Sequence, residues 1–295
     1  MELISLQEPK IDQNITFNEF RSNVIMYVQS NFMPNTLRIY KNTLSSFGKF
    51  IGEKEICQIS IFDLENYKSY RLKTVSRSTC NIDIRTLKAS FNLAKNWGMI
   101  EVNPAEKVKQ FRIVEKEILC FSKEEIELII DTIDDDEILK IVKFALNTGL
   151  RISELINLQI RDFNRREKII EIRNKYEFKT KSKRNRKIPL NQTALDIAEN
   201  CPGNPDDYMF KNSCKRKFSK DHLTRMFKKY LRKAELPEKF HFHCLRHTFI
   251  TELIKKGVNI NYVKELAGHS DIKTTMNYIH IVTDDLRDAV DLICS

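Results

Sequence analysis

Thr148-Gly149-Leu150-Arg151-Ile152-Ser153-Glu154-Leu155 is the stretch on which the reading turns. Apolar residues recur at helical spacing from Glu137 to Asn147, and Thr148-Gly149 ends that helix, since glycine accepts the left-handed backbone found at helix ends. Arg151 follows the break directly, with the acid Glu154 three residues on. An arginine in such a place is ordinarily a surface residue. Three further stretches place a cation, an imidazole or a phenol in short runs of their own. They are Thr180-Lys181-Ser182 ahead of Ile188-Pro189-Leu190, then His243-Cys244-Leu245-Arg246-His247-Thr248-Phe249, and Gly268-His269-Ser270 running on to Tyr278.

In this order the four stretches resemble the active-site signature of the tyrosine recombinase (phage integrase) family. The sequence Arg, Lys, His-x-x-Arg, His, Tyr is the family's order, and the step from His269 to Tyr278 fits its spacing. The resemblance covers the chain from about Phe121 onward. The region before it looks like the family's helical core-binding domain, on less specific motifs, and in length the chain resembles the compact, Xer-like members. The catalytic residues so implied are Arg151, Lys181, His243, Arg246, His269 and Tyr278. Lys179 and Lys183 compete with Lys181, which is chosen by counting back from Ile188-Pro189-Leu190 onto the family's lysine. Glu154 matches an acidic family position and is given a supporting role, orienting Arg151 or a neighbour. His247 matches a family position too and is read as a buried packing histidine. Cys244 and Ala267 replace residues more usual in the family.

The residue types suit phosphoryl chemistry on independent grounds. A phosphodiester repels nucleophiles, and its transition state gathers charge on the non-bridging oxygens. Arg151 and Arg246 each offer a planar fork of donors to those oxygens, a geometry lysine fits less well. A phenol has a reference pKa near 10, so Tyr278 needs a base or a cationic field to attack. His243 is the candidate base, with His269 donating to the phosphate. Lys181 is the candidate general acid for the departing 5′ oxygen, its pKa lowered by neighbouring cations. The resemblance implies site-specific DNA recombination through a 3′-phosphotyrosyl link and a Holliday junction, for DNA integration, excision or chromosome-dimer resolution. It implies a homo- or hetero-tetramer on two double-stranded DNA sites, without metal, ATP or any other cofactor.

Outward from these motifs, the bulk properties agree. The chain has 295 residues, too long for one comfortable core, so two domains are expected. Fifty Lys and Arg against forty Asp and Glu give a net charge of +10, which suits an anionic partner. The excess gathers in Lys175–Lys187 and in Lys211–Lys233. In the second segment Phe218, Met226, Phe227, Tyr230 and Leu231 sit at helical spacing as core. That leaves Lys215, Arg216, Lys217, Arg225, Lys228 and Arg232 to face outward. Seven scattered cysteines with no C-x-x-C pair argue against a zinc knuckle or a disulfide framework. His243 and His247 share a helix face, but with no Glu between them in the H-E-x-x-H sense a zinc site is not expected. No apolar run is long enough to span a bilayer, and Met1 to Gln13 is too polar for a secretory signal, so a cytoplasmic protein is expected.

The expected fold is mainly α (α+β). Residues 1–15 form an N-terminal arm and 16–104 a four-helix, SAM-like core-binding bundle. A linker, 105–117, leads to a mostly helical catalytic domain, 118–295, with a small three-stranded β-sheet. Few Gly and Pro punctuate the chain, which favours long helices. Thr16 with Glu19 makes a capping box, Pro34 opens a second helix, Ser60 and Asp63 a third, and a fourth runs from Ser76 to Trp97 before Gly98. Ser122 and Glu125 cap the first catalytic-domain helix. Thr283 to Ile293 reads as a short amphipathic helix that docks on its own domain or on a neighbouring protomer. Two rival readings are a type IB topoisomerase, disfavoured by length and by the Leu-Arg-His-Thr-Phe context, and a non-catalytic DNA-binding descendant.

Overall fold

The structure, a computed structural model, describes residues 15–113, 117–175 and 185–279. The chain divides into two compact units, Met1–Glu115 and Lys116–Ser295. The 1–14 arm and the Thr283–Ile293 segment lie outside the described residues.

The first unit is the expected bundle of four helices: α1 (Phe17–Asn31), α2 (Pro34–Ile51), α3 (Ile61–Leu72) and α4 (Arg77–Asn96). Each begins where local chemistry satisfies the free N–H groups of a first turn. Thr16 and Glu19 form a reciprocal capping box, as do Ser60 and Asp63, while Ser76 accepts from the Thr79 N–H. Pro34 occupies the first turn of α2, where its missing N–H costs nothing. The helices close on an aromatic centre. Phe47 meets Phe17 and Tyr67 edge-to-face, each at 5.0 Å between ring centroids, and Phe20 stacks on Phe91. One buried carboxylate sits inside this bundle, and Asp83 is satisfied by the Thr43 hydroxyl at 2.7 Å and by Arg71 Nε at 2.8 Å.

The stretch expected to be a linker from residue 105 is anchored much further than its charge suggested. Ala105 and Val108 are buried in the bundle's core. The Asn81 amide also grips the backbone of Phe111 twice, accepting from its N–H and donating to its carbonyl, both at 2.8 Å. Two buried apolar side chains and a doubly bonded amide outweigh the solvent preference of the intervening lysines.

The second unit is built on α6 (Asp136–Thr148), whose Ile138, Ile141, Val142, Phe144 and Ala145 are buried. Around it stand α5 (Lys123–Thr132), α7 (Ile152–Leu155), α8 (Gln192–Glu199), α9 (Lys220–Lys233), α10 (His243–Lys255), α11 (Ile260–Ala267) and α12 (Ile272–Met276). Strands β1 (Phe163–Asn164), β2 (Ile169–Ile172) and β3 (Arg186–Pro189) make an antiparallel sheet in that order, with Ile172 opposite Arg186. Residues 176–184 of the β2–β3 connection lie outside the described residues and include Lys179, Lys181 and Lys183. Phe121 closes the core from the chain's entry, its N–H donating to the Thr248 hydroxyl of α10 at 2.9 Å. Among the described residues no helix is long and apolar enough to cross a membrane.

Replacing Phe47 by Ala removes the ring on which the first core converges and is expected to cost about 3–5 kcal/mol. Trp97 is the chain's single tryptophan and lies in this unit, so urea unfolding followed by its fluorescence reads the loss there. A shift below about 1 kcal/mol would contradict this packing.

Candidate active site

The site of the second unit is assembled at the ends of elements. Gly149 takes a left-handed backbone after α6, with φ +62°, and turns the chain so that Arg151 heads the short α7. A side chain at Gly149 would not fit, because a Cβ there would stand 2.2 Å from the Phe249 ring. That close approach brings α10, which carries His243, Arg246 and His247, against the end of α6. Gly268 repeats the device after α11, again with φ +62°, and His269 follows it. Tyr278 sits two residues past α12, packed with Ile250, Val263 and Ala267 and only 4 % exposed.

The cations are organised by one carboxylate. Glu154 is 2 % exposed, and its Oε1 accepts from Arg151 Nη1 at 3.1 Å and from Arg186 Nη1 at 2.9 Å. Its Oε2 accepts from Arg186 Nη2 at 2.8 Å and from the Arg151 backbone N–H at 2.9 Å. Burial by itself opposes ionisation, but the Arg186 hydrogen bonds and the charges of Arg186 and Arg151 prevail and hold the carboxyl at about 2. Arg246 is equally buried. It donates from Nη1 to the Gly149 carbonyl at 2.6 Å and from Nη2 to the Ala267 carbonyl. Arg151 Nη2 donates to the next carbonyl, Gly268, at 3.0 Å. Two guanidiniums thus converge on the C-terminal end of α11, where free carbonyls and the helix dipole favour positive charge. Burial, with the Arg151 charge, lowers Arg246 to about 9, so it stays protonated at neutral pH. Three guanidiniums against one carboxylate leave a surplus of two positive charges facing whatever enters.

Arg186 is a site residue that the sequence reading did not single out, since it lies within the basic stretch Lys175–Lys187. Its side chain is 9 % exposed, and its Nε also donates to the Leu266 carbonyl at 3.1 Å. A Cβ at Gly268 would lie 2.8 Å from Arg186 Nη1, so the glycine makes room for this guanidinium as well as for the turn. The signal was in the strand period. Arg186 shares the inward face of β3 with buried Ile188, while Lys187 between them points out.

The imidazoles are largely desolvated. His269 stacks near Tyr278, 6.2 Å between ring centroids, and its Nδ1 meets the Thr275 hydroxyl at 2.9 Å, which leaves Nε2 for an incoming oxygen. Burial, then the Arg246 and Arg151 charges, pushes its pKa down to about 3. His243 keeps an open face to solvent, and its pKa is lowered by the protein packed around the rest of the ring and by His247 and Arg246. His247 was read as a packing residue, yet its Nδ1 lies 2.7 Å from the Tyr278 hydroxyl. Burial pushes the Tyr278 phenol up to about 12 against the opposing pull of Arg246. The rings of His241, His243 and His247 lie near one another. Among the described residues, however, no group of three or more His, Cys, Asp or Glu side chains is placed to hold a metal ion.

Of the six expected site residues the structure therefore brings Arg151, His243, Arg246, His269 and Tyr278 together, and Lys181 lies outside the described residues. The basic face of α9 is partly neutralised, since Lys228 and Arg232 both pair with Glu238.

Comparison with known proteins gives the family. Residues 120–284 match the Phage integrase family, and residues 16–113 match the Phage integrase SAM-like domain. A tyrosine recombinase of Thermosipho africanus is 30% identical, over 92% of this chain and 97% of its own. Tyrosine recombinase XerA of Pyrococcus furiosus is 32% identical, over 87% of each chain. The fold matches the Tn1549 transposon integrase, solved with transposon right end DNA, at a TM-score of 0.78 and 23% identity, covering 95% of this chain and all of that one. The chain belongs to the phage integrase family of tyrosine recombinases. It is an enzyme of site-specific DNA recombination, which proceeds by DNA breakage and rejoining.

Glu154→Gln leaves two guanidiniums facing a neutral amide and is expected to destabilise the second unit by about 3–5 kcal/mol at pH 7. Because the Glu154 pKa is depressed, its stabilisation is complete above the ordinary 4.5 and is lost as pH falls from there towards 2. Denaturation of both proteins across that window should show the gap between them closing as pH drops. A gap independent of pH would mean that the carboxylate is not the ionised anchor described.

Proposed function

We propose that the enzyme cuts one strand of duplex DNA by attack of Tyr278 on a phosphodiester, leaving a 3′-phosphotyrosyl link and a free 5′ hydroxyl. The observation that carries this reading is the Tyr278 phenol in one buried pocket with Arg246, Arg151 and His269, each from a different element. Arg151 and Arg246 bind the non-bridging oxygens. Each has donors beyond those spent on the α11 carbonyls, and fixed donors aimed at developing charge are worth about 2.7–4 kcal/mol apiece. His243 and His269 stand as imidazoles at the same phosphate. Lys181 on the β2–β3 connection protonates the departing 5′ oxygen. Bond energy is retained in the phosphotyrosine, so a second strand's 5′ hydroxyl reverses the step. Strand exchange then passes through a Holliday junction in a tetramer on two duplexes. The work is done in the cytoplasm and serves integration, excision or dimer resolution. Double-stranded DNA is the partner, and the net charge of +10 and the surplus of guanidinium in the site support it.

Covalent trapping tests the reading. Purified protein is mixed with nicked duplexes drawn from DNA flanking its own gene and run on a denaturing gel. The wild type should give a slow protein–DNA adduct that Tyr278→Phe abolishes, and Arg246→Lys should slow its formation by about 10²–10³-fold. An adduct that survives Tyr278→Phe would show that another residue is the nucleophile.

A further inference from the structure

We propose that Thr275 is a positioning residue for the cleavage step: its buried hydroxyl holds His269 with the ring proton on Nε2, so that the imidazole donates to the scissile phosphate. The inference rests on the reading that His269 stands at that phosphate, and it adds the residue that decides what His269 can do there. Thr275 alone of α12 is buried, at 0 % exposure, whereas Thr274 beside it is exposed. Packing would be served as well by valine, which has nearly the same shape and no hydroxyl to desolvate. The Thr275 hydroxyl lies 2.9 Å from His269 Nδ1. Threonines in other helices spend theirs on the carbonyl one turn back, as Thr148 does on Phe144 and Thr248 on Cys244. Among the described residues the imidazole is the one partner of the Thr275 hydroxyl.

A single partner settles the tautomer. A hydroxyl carries one proton, and where water is excluded it leaves that proton unpaired only at a cost. If His269 Nδ1 held the ring proton, the Thr275 oxygen would accept it and the hydroxyl proton would have no acceptor. The hydroxyl therefore donates, Nδ1 carries the lone pair, and the ring proton is on Nε2. Burial first, then Arg246 on α10, Arg151 ahead of α7, Arg186 on β3 and His247 on α10, keeps this imidazole neutral at physiological pH. An imidazolium would donate from both nitrogens, but a neutral ring has one proton to place. The partner at Nδ1 thus decides whether Nε2 gives a hydrogen bond or presents a lone pair that repels the non-bridging oxygens. Main-chain bonds complete the arrangement. The Thr275 carbonyl accepts from the Tyr278 N–H at 3.1 Å, and the His269 N–H donates to the Lys264 carbonyl at 3.0 Å. Thr275 is therefore bonded to both the phosphate donor and the nucleophile of the proposed reaction, one through its side chain and the other through its backbone.

Two measurements test the proposal. Nitrogen-15 NMR of the histidine-labelled protein at neutral pH reads the tautomer of each of the six imidazoles, and His269→Ala identifies the signals of this one. Wild type should show His269 protonated on Nε2 and bare on Nδ1. A proton on Nδ1 would overturn the proposal, and this reading needs no Thr275 variant to fold. Single-turnover cleavage of the nicked duplex that gives the wild-type adduct then compares wild type, Thr275→Val, Thr275→Ser, His269→Ala and the double variant, with DNA affinity measured separately. Thr275→Val should cleave about 10–100-fold more slowly, the range for outer partners of metal-bound histidines, while binding DNA almost normally. Thr275→Ser keeps the hydroxyl and should cleave at close to the wild-type rate. In the His269→Ala background Thr275→Val should cost almost nothing more, because the hydroxyl has lost the ring it positions. Equal slowing in both backgrounds would mean lost packing and would overturn the proposal, as would Thr275→Ser being no faster than Thr275→Val. His269→Ala separates the two readings. If it is slow while Thr275→Val matches wild type, only this inference falls, whereas fast cleavage by His269→Ala removes His269 from the phosphate and takes this inference with it.

Discussion

A buried carboxylate facing two guanidiniums is the interaction on which the site depends. Glu154 could not remain ionised at 2 % exposure without partners, and neither arginine would hold its place without Glu154. The pair from Arg186 is bidentate, which fixes orientation as well as charge. Arg186 belongs to the sheet, Arg151 to the turn after α6, and the Leu266 carbonyl that Arg186 also grips belongs to α11. One ion cluster therefore sets the relative positions of three elements that otherwise meet only at their edges. Its net positive charge is the complement of a phosphodiester, so the interaction that orders the site also prepares it for its substrate.

The proposed nucleophile is held in the opposite electrostatic state. Tyr278 is packed among Ile250, Val263 and Ala267, and burial makes its ionisation harder. Its neighbours His247 and His269 are kept neutral by burial and by the same arginines. Resting protein thus carries a protonated phenol beside uncharged acceptors. A phosphate anion among the guanidiniums would make the imidazoles stronger acceptors. Such a pocket suppresses reaction with water while leaving the groups preorganised for DNA.

The first unit was legible because helix starts are local chemistry. Thr16, Ser60 and Ser76 each satisfy N–H groups within their own first turn, and Pro34 needs no partner at all. The end of that unit was not legible. Residues 105–111 carry two lysines and a glutamate and read as solvated, yet Ala105, Val108 and the Asn81 amide tie them down. Asn81 is thirty residues away from its partner, and nothing local announces that contact. Arg186 was not singled out for a related reason, because a run of cations hides which member faces inward until the strand's alternation is counted.

By itself the sequence determined the order of the elements and the two glycine-ended helices that launch Arg151 and His269. These follow from residue type and spacing along one chain. Only the tertiary structure decided that Arg186 and Glu154 lock together and that His247, one residue beyond Arg246, reaches the Tyr278 hydroxyl. The physical reason is burial. Which imidazole is neutral, which carboxylate stays charged and which phenol keeps its proton depend on desolvation and on charges from distant segments, and those exist only once α6, α10, α11 and β3 have packed.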